Sequence, residues 1–154
     1  MASAKSASRR PLIVKLSPNV TSIPQMAHAA ADAGADAISL VNTFVGMAID
    51  IETRRPRISN ITGGLSGPAI KPLALRMVYQ IHRAGLGMPI CGIGGIQSGL
   101  DAIEFLLAGA TTVQVGTQNF IDPASSERVI RELEEFCRAN AITDLRELVG
   151  GLVV

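Results

Sequence analysis

At 154 residues, with 47% hydrophobic residues, 15 glycines and a formal charge of +1, the chain has the size and composition of one α/β domain. Aromatics at 3%, with no tryptophan, offer no stacking platform for nucleobases, and the near-neutral charge gives no electrostatic case for nucleic acid or a membrane surface. Mean hydropathy is +0.33, yet no apolar run approaches the roughly 18 residues of a membrane span, and Met1–Arg10 lacks the apolar middle of a secretory signal. Cys91 and Cys137 make neither a disulfide framework nor a metal cluster, so a reducing, cytoplasmic setting and no metal are expected.

In chain order, Met1–Arg10 is small and basic and reads as a tail or the end of a preceding helix. Pro11–Leu16 is a continuous β-branched run, hence a buried parallel strand. A helix is predicted from Ile23 to Ala33, ending at Gly34, and a second strand over Ala37–Val41. A long connection then runs from Asn42 to Ser66, and such connections inside a compact domain are usually functional. Pro72 suits the first turn of a helix over Leu73–Arg83. The remaining elements are a strand at Met88–Cys91, a helix at Leu100–Leu107, a strand at Thr112–Val115 and an amphipathic helix at Ser125–Ala139. Strands separated by helices require a parallel sheet. Four such strands are half of an eight-strand barrel.

The strongest functional signal is a pair of glycine corners. Gly92-Ile93-Gly94-Gly95-Ile96-Gln97 and Gly116-Thr117 each end an apolar strand and precede a helical segment. Backbone N–H groups at such ends, uncovered by any Cβ, form a cradle for phosphate, and in (β/α) barrels that cradle commonly follows the last two strands. The first corner is not a dinucleotide fingerprint, because Gln97 stands where a third glycine belongs, and no GK[ST] of a P-loop occurs. Lys15 lies in an aliphatic strand, where it either snorkels from an edge or offers a cation at the catalytic end of a barrel. Asn42-Thr43 either turns the chain or presents an amide to a polar ligand. Gly63-Gly64-Leu65-Ser66-Gly67 is either a flexible turn or a close approach to ligand. Arg54, Arg55 and Arg57 read as surface contacts, and His28 and His82 as structural. Neither cysteine has a visible base partner.

Together, Val14-Lys15-Leu16-Ser17-Pro18-Asn19, Asn42-Thr43, Gly46-Met47-Ala48-Ile49-Asp50, Thr62-Gly63-Gly64-Leu65-Ser66-Gly67-Pro68-Ala69-Ile70-Lys71-Pro72, Gly94-Gly95-Ile96 and Val113-Gln114-Val115-Gly116-Thr117 resemble class 1B dihydroorotate dehydrogenase. The resemblance covers only the C-terminal half of that family's TIM (β/α)8 barrel, with residues 11–154 as the half barrel. It implies an FMN enzyme of pyrimidine synthesis that oxidises dihydroorotate to orotate, paired with an iron–sulfur flavoprotein that passes electrons to NAD. It implies Lys15 beside the flavin ring, the Val41 backbone and Gly67 against FMN, and Gly94, Gly95, Gly116 and Thr117 on its phosphate. Asn42 and Thr43 would hold orotate.

The cysteine base of the family sits in the other half of the barrel, and neither Cys91 nor Cys137 lies in a matching motif, so no catalytic residue is assigned. Half a barrel leaves two sheet edges and an apolar interior face open, which points to a homo-oligomer or to a truncated product, inactive by itself. The alternatives are another FMN- or phosphate-binding barrel enzyme and a non-catalytic half-barrel scaffold.

Overall fold

The computed structural model describes residues 2–154. It opens with helix α1 (Ala2–Ala7), whose Lys5 pairs with Asp36. Strand β1 (Ile13–Leu16), helix α2 (Ile23–Asp32) and strand β2 (Ala37–Leu40) follow. The ends of α2 follow from local chemistry. The Ser22 side chain accepts from the Gln25 N–H, Pro24 sits in the first turn, and the chain turns out of the helix at Gly34.

The long connection expected as a loop is instead a ribbon. β3 (Phe44–Met47) pairs antiparallel with β6 (Thr62–Leu65), and between them β4 (Ile49–Asp50) pairs with β5 (Arg55–Pro56). Gly63, Gly64 and Pro56 lower strand propensity, and the partner of Phe44 is Leu65, so no local pattern announces the pairing. Arg54, Arg55 and Arg57 lie exposed at its tip.

A 3-10 turn (Pro68–Ile70) leads into α3 (Lys71–Arg83), then β7 (Ile90–Ile93), α4 (Gly99–Leu107) and β8 (Thr112–Gln114). A short helix α5 (Gln118–Ile121), not anticipated from the sequence, precedes α6 (Ser125–Ala139). A second 3-10 turn spans Leu145–Leu148. Strand β7 begins two residues later than expected. Pro89 has no N–H for the ladder, though its carbonyl accepts from the Ile38 N–H at 3.0 Å.

The main sheet is four-stranded and wholly parallel, in the order β1-β2-β7-β8. On its helix-covered face, Ile38, Leu40 and Ile90 pack with Ala74, Val78, Ile81 and Phe105. Gly92 stays in β7 because a Cβ there would come within 2.5 Å of the Phe105 ring; the ring takes that place and is fully buried, worth about 2–3 kcal/mol. Residues on one face recur every second position, so the register puts Lys15, Ser39, Cys91 and Thr112 in one row on the opposite face. That face was expected to be apolar. Its central row is mainly polar, and exposed apolar surface there is concentrated at Ile13 on the edge strand β1. Among the described residues no helix is long and apolar enough to cross a membrane.

Candidate functional site

At the C-terminal ends of the four parallel strands lies a cleft of about 140 Å³. Each strand end supplies part of its wall. Lys15 comes from β1, Val41, Asn42 and Thr43 from the end of β2, Gly94 and Gly95 from the end of β7, and Gly116 and Thr117 from the end of β8. Gly67 joins them from the start of the 3-10 turn before α3. Every residue assigned from the sequence to cofactor or substrate therefore lines one cleft. Ser66, Pro68, Ile70, Ile93, Ile96, Gln97, Gln118 and Ile121 complete it.

The charge of the wall is one-sided. Among the described residues Lys15 is its sole ionisable side chain, and no carboxylate lines it. An isolated cation in a cleft otherwise built of amides, hydroxyls, backbone and aliphatic groups favours an anionic ligand.

The glycine corners have the backbone geometry a cradle needs. Gly95 has a φ of +76°, and a Cβ on it would come within 2.8 Å of the Lys71 Cβ and 2.9 Å of the Gly67 carbonyl oxygen. The corner after β7 is thus pressed against the start of α3, and only glycine fits. A Cβ on Gly116 would meet nothing within 4 Å, so that corner opens on free space. Among the described residues, the backbone N–H groups of Gly95, Gly116 and Thr117 donate to no protein acceptor. Such unsatisfied donors at a concave wall fit an oxyanion.

Side chains tie the walls to one another. The Thr117 hydroxyl donates to Ser66 Oγ at 2.8 Å, joining the β8 corner to the turn before α3. Gln97 Nε2 donates to Gln118 Oε1 at 2.9 Å, joining the β7 corner to α5. On the other side, Asn19 Nδ2 donates to the Thr43 carbonyl at 2.9 Å, while Asn19 Oδ1 accepts from the Val45 N–H at 2.9 Å. Val41 donates its N–H to the Ile93 carbonyl at 2.9 Å, and the Leu40–Val41 peptide is cis.

Sequence reasoning did not single out Ser66, Gln97, Gln118 or Asn19 as site residues. Ser66 and Asn19 stand inside motifs already noted, but their partners lie 51 and 24 residues away. Other candidates fall elsewhere. His28 and His82 are exposed on α2 and α3, and His82 lies against Gly109 and Gly150. Cys91 is buried in β7 and Cys137 is half-buried on α6; neither lines the cleft.

Four parallel strands backed by helices, with a glycine-walled cleft at their C-terminal ends, define an α/β protein of the (β/α) barrel class. Within that class the chain belongs to the dihydroorotate dehydrogenase family, whose model matches residues 1–137. It is 61% identical over 150 residues to the dihydroorotate dehydrogenase B (NAD(+)) catalytic subunit of Geobacter metallireducens, covering 97% of this chain and 49% of that protein. The corresponding subunit of Geobacter sulfurreducens is 58% identical, with the same coverage. Among solved structures, a DHODH of Eimeria tenella in complex with ferulenol superposes with a TM-score of 0.77 at 30% identity, covering 94% of this chain and 39% of that one. The chain spans about half the length of the curated relatives it matches.

Proposed function

We propose that this chain forms the FMN- and orotate-binding wall of a class 1B dihydroorotate dehydrogenase catalytic subunit, with residues 11–154 as the C-terminal half of its barrel and residues 1–10 as a tail or the end of a helix. The observation that carries the reading is convergence. Residues as far apart in sequence as Lys15 and Thr117 line one cleft whose only charged side chain among the described residues is a cation. The residues present fit a phosphate-bearing flavin, because the unpartnered N–H groups of Gly95, Gly116 and Thr117 are suited to a phosphate and Lys15 to further negative charge. At about 140 Å³ the cleft is smaller than the ~300–1,000 Å³ of a typical cofactor site, as one wall of a larger pocket would be.

When bound, FMN supplies a hydride acceptor for the oxidation of dihydroorotate to orotate. The chain's own part is to bind and orient. Gly94, Gly95, Gly116 and Thr117 take the phosphate, the Val41 backbone and Gly67 border the cofactor, and Lys15 favours an anionic reduced ring. The amide of Asn42, which both donates and accepts, and the hydroxyl of Thr43 hold the substrate's polar edge. Loss of the substrate's C5 proton requires a general base within hydrogen-bond reach, and neither Cys91 nor Cys137 lines the cleft. In this reading the base comes from the remaining half of the barrel. The relatives are named as catalytic subunits, and the proposal extends to an iron–sulfur flavoprotein as electron-transfer partner, to self-association, and to a cytoplasmic setting for a chain whose two cysteines are unpaired.

The test is titration of the 154-residue chain with FMN, followed by quenching of flavin fluorescence, and then with orotate. The expected result is FMN binding that exceeds riboflavin binding, with orotate perturbing the flavin absorbance only after FMN has bound. Equal affinity for riboflavin and FMN would remove the phosphate cradle from the account.

A further inference from the structure

Two charged residues that do not line the cleft stand directly behind its phosphate corner. Lys71, in the first turn of α3, donates through Nζ to Asp101 Oδ1 at 2.6 Å and pairs with Glu104 Oε2 at 2.8 Å. With side chains 26% and 15% exposed, Lys71–Asp101 is the most sheltered ion pair among the described residues. The corner after β7 abuts the residue that bears this pair, since Gly95 is pressed against the Lys71 backbone nitrogen and Cβ.

The second oxygen of Asp101 is committed to the corner itself. Asp101 Oδ2 accepts from the Ser98 N–H at 2.9 Å and the Ser98 hydroxyl at 3.0 Å, while the Asp101 N–H donates to Ser98 Oγ at 3.2 Å. That much is a capping box closing the N-terminus of α4. A capping box does not need the next bond. Oδ2 also accepts from the Gln97 N–H at 2.9 Å, one residue further upstream and already in the glycine corner. The carboxylate therefore takes two successive amides of the corner, Gln97 and Ser98. The amides of Gly95 and Ile96 are left with no protein acceptor among the described residues. Burial alone would push the Asp101 carboxyl up, but the Lys71 ammonium and the Gln97 and Ser98 donors together hold it below the usual carboxylate range. The Lys71 ammonium is correspondingly raised, first by Asp101 and then by Glu104.

A fixed carboxylate behind an anion site carries an electrostatic cost. With Lys71 removed, Asp101 and Glu104 would both present uncompensated negative charge toward an incoming phosphate. We propose that Lys71 and Asp101 are positioning residues for the phosphate end of the cleft. Asp101 withdraws the Gln97 and Ser98 amides and leaves those of Gly95 and Ile96 to the ligand, and Lys71 neutralises Asp101 so that it does not repel that ligand. The inference rests on the reading of the cleft as a phosphate-bearing flavin site, and it goes further in assigning the anion preference to an ion pair outside the wall.

The test compares FMN with riboflavin, which differ only in the phosphate, by fluorescence titration of the 154-residue chain. Lys71→Met should lower FMN affinity about tenfold, the order that loss of an outer-shell support costs a bound ion, and leave riboflavin affinity unchanged. Because the cause is repulsion between partly exposed charges, the loss should shrink in high salt. Lys71→Arg should keep the preference, and the double variant Lys71→Met, Asp101→Asn should recover part of it by removing the more sheltered of the two uncompensated charges. If Lys71→Met does not fold, Lys71→Gln, whose amide still donates to Asp101, carries the same comparison. Equal weakening of FMN and riboflavin, or a preference unmoved by Lys71→Met, overturns the inference. A wild-type chain without any preference for FMN overturns the phosphate reading itself and the inference with it.

Discussion

Gly95→Ala is the perturbation that most directly measures how the phosphate corner is built. Its cost has two separable parts. A left-handed φ of +76° costs a residue with a Cβ about 1 kcal/mol. The added methyl would also sit 2.8 Å from the Lys71 Cβ, 2.9 Å from the Gly67 carbonyl oxygen and 3.0 Å from the Lys71 nitrogen, mostly backbone that cannot swing aside. Overpacking of that kind adds about 2 kcal/mol, for a total near 3 kcal/mol. In a chain of this length that is a fall in melting temperature of roughly 6–12 °C.

The structure supplies both controls. Gly85 has a φ of +68° with nothing within 4 Å of an added Cβ, so Gly85→Ala isolates the conformational part at about 1 kcal/mol. Gly116 has neither a left-handed φ nor a neighbour within 4 Å, so Gly116→Ala should stay within about 0.5 kcal/mol of wild type. Thermal melts followed by circular dichroism rank the three. If Gly95→Ala melts together with Gly85→Ala, the corner is not pressed against α3 and the reasoning fails.

Lys15→Ala should leave the melting temperature unchanged, since Lys15 is exposed and forms no ion pair among the described residues, yet lower FMN affinity about tenfold in low salt; an unaltered titration curve would deny the cation its role. Asn19→Ala removes both the donor to Thr43 and the acceptor for Val45, so it should weaken orotate binding more than FMN binding, as seen by the flavin absorbance change. Asp101 is held low in the folded chain, so its contribution to stability is full above the unfolded carboxylate value near pH 4 and is lost as pH falls below that. Melts between about pH 6 and pH 3 should therefore show a loss concentrated below about pH 4 that Asp101→Asn reduces; equal pH profiles would show that the ion pair contributes nothing.

The alternation of strands and helices was legible because each element carries its own local signature, but the burial expected of the Pro11–Leu16 strand was not met, because β1 lies at the edge of the sheet with Ile13 and Lys15 exposed. Ser125–Ala139 agrees with the sequence reading to the residue, since its apolar positions recur at helical spacing and a proline precedes it. The ribbon was not legible. Its strands are two to four residues long, carry Gly46, Gly63, Gly64 and Pro56, and acquire their hydrogen bonds only when Phe44 meets Leu65. The four-residue helix α5 is likewise too short to show a period.

The sequence by itself determined the alternation of the four parallel strands with their main helices and nine of the residues that line the cleft, because glycine corners, a lysine in an aliphatic strand and an Asn-Thr at a strand end stand out in any local reading. Only the tertiary structure decided how that wall is held. Thr117 on Ser66, Gln97 on Gln118, Asn19 on Thr43 and Lys71 on Asp101 join residues between 21 and 51 positions apart. Bonds of that kind depend on where the parallel sheet delivers the ends of its strands, and a one-dimensional pattern does not contain that information.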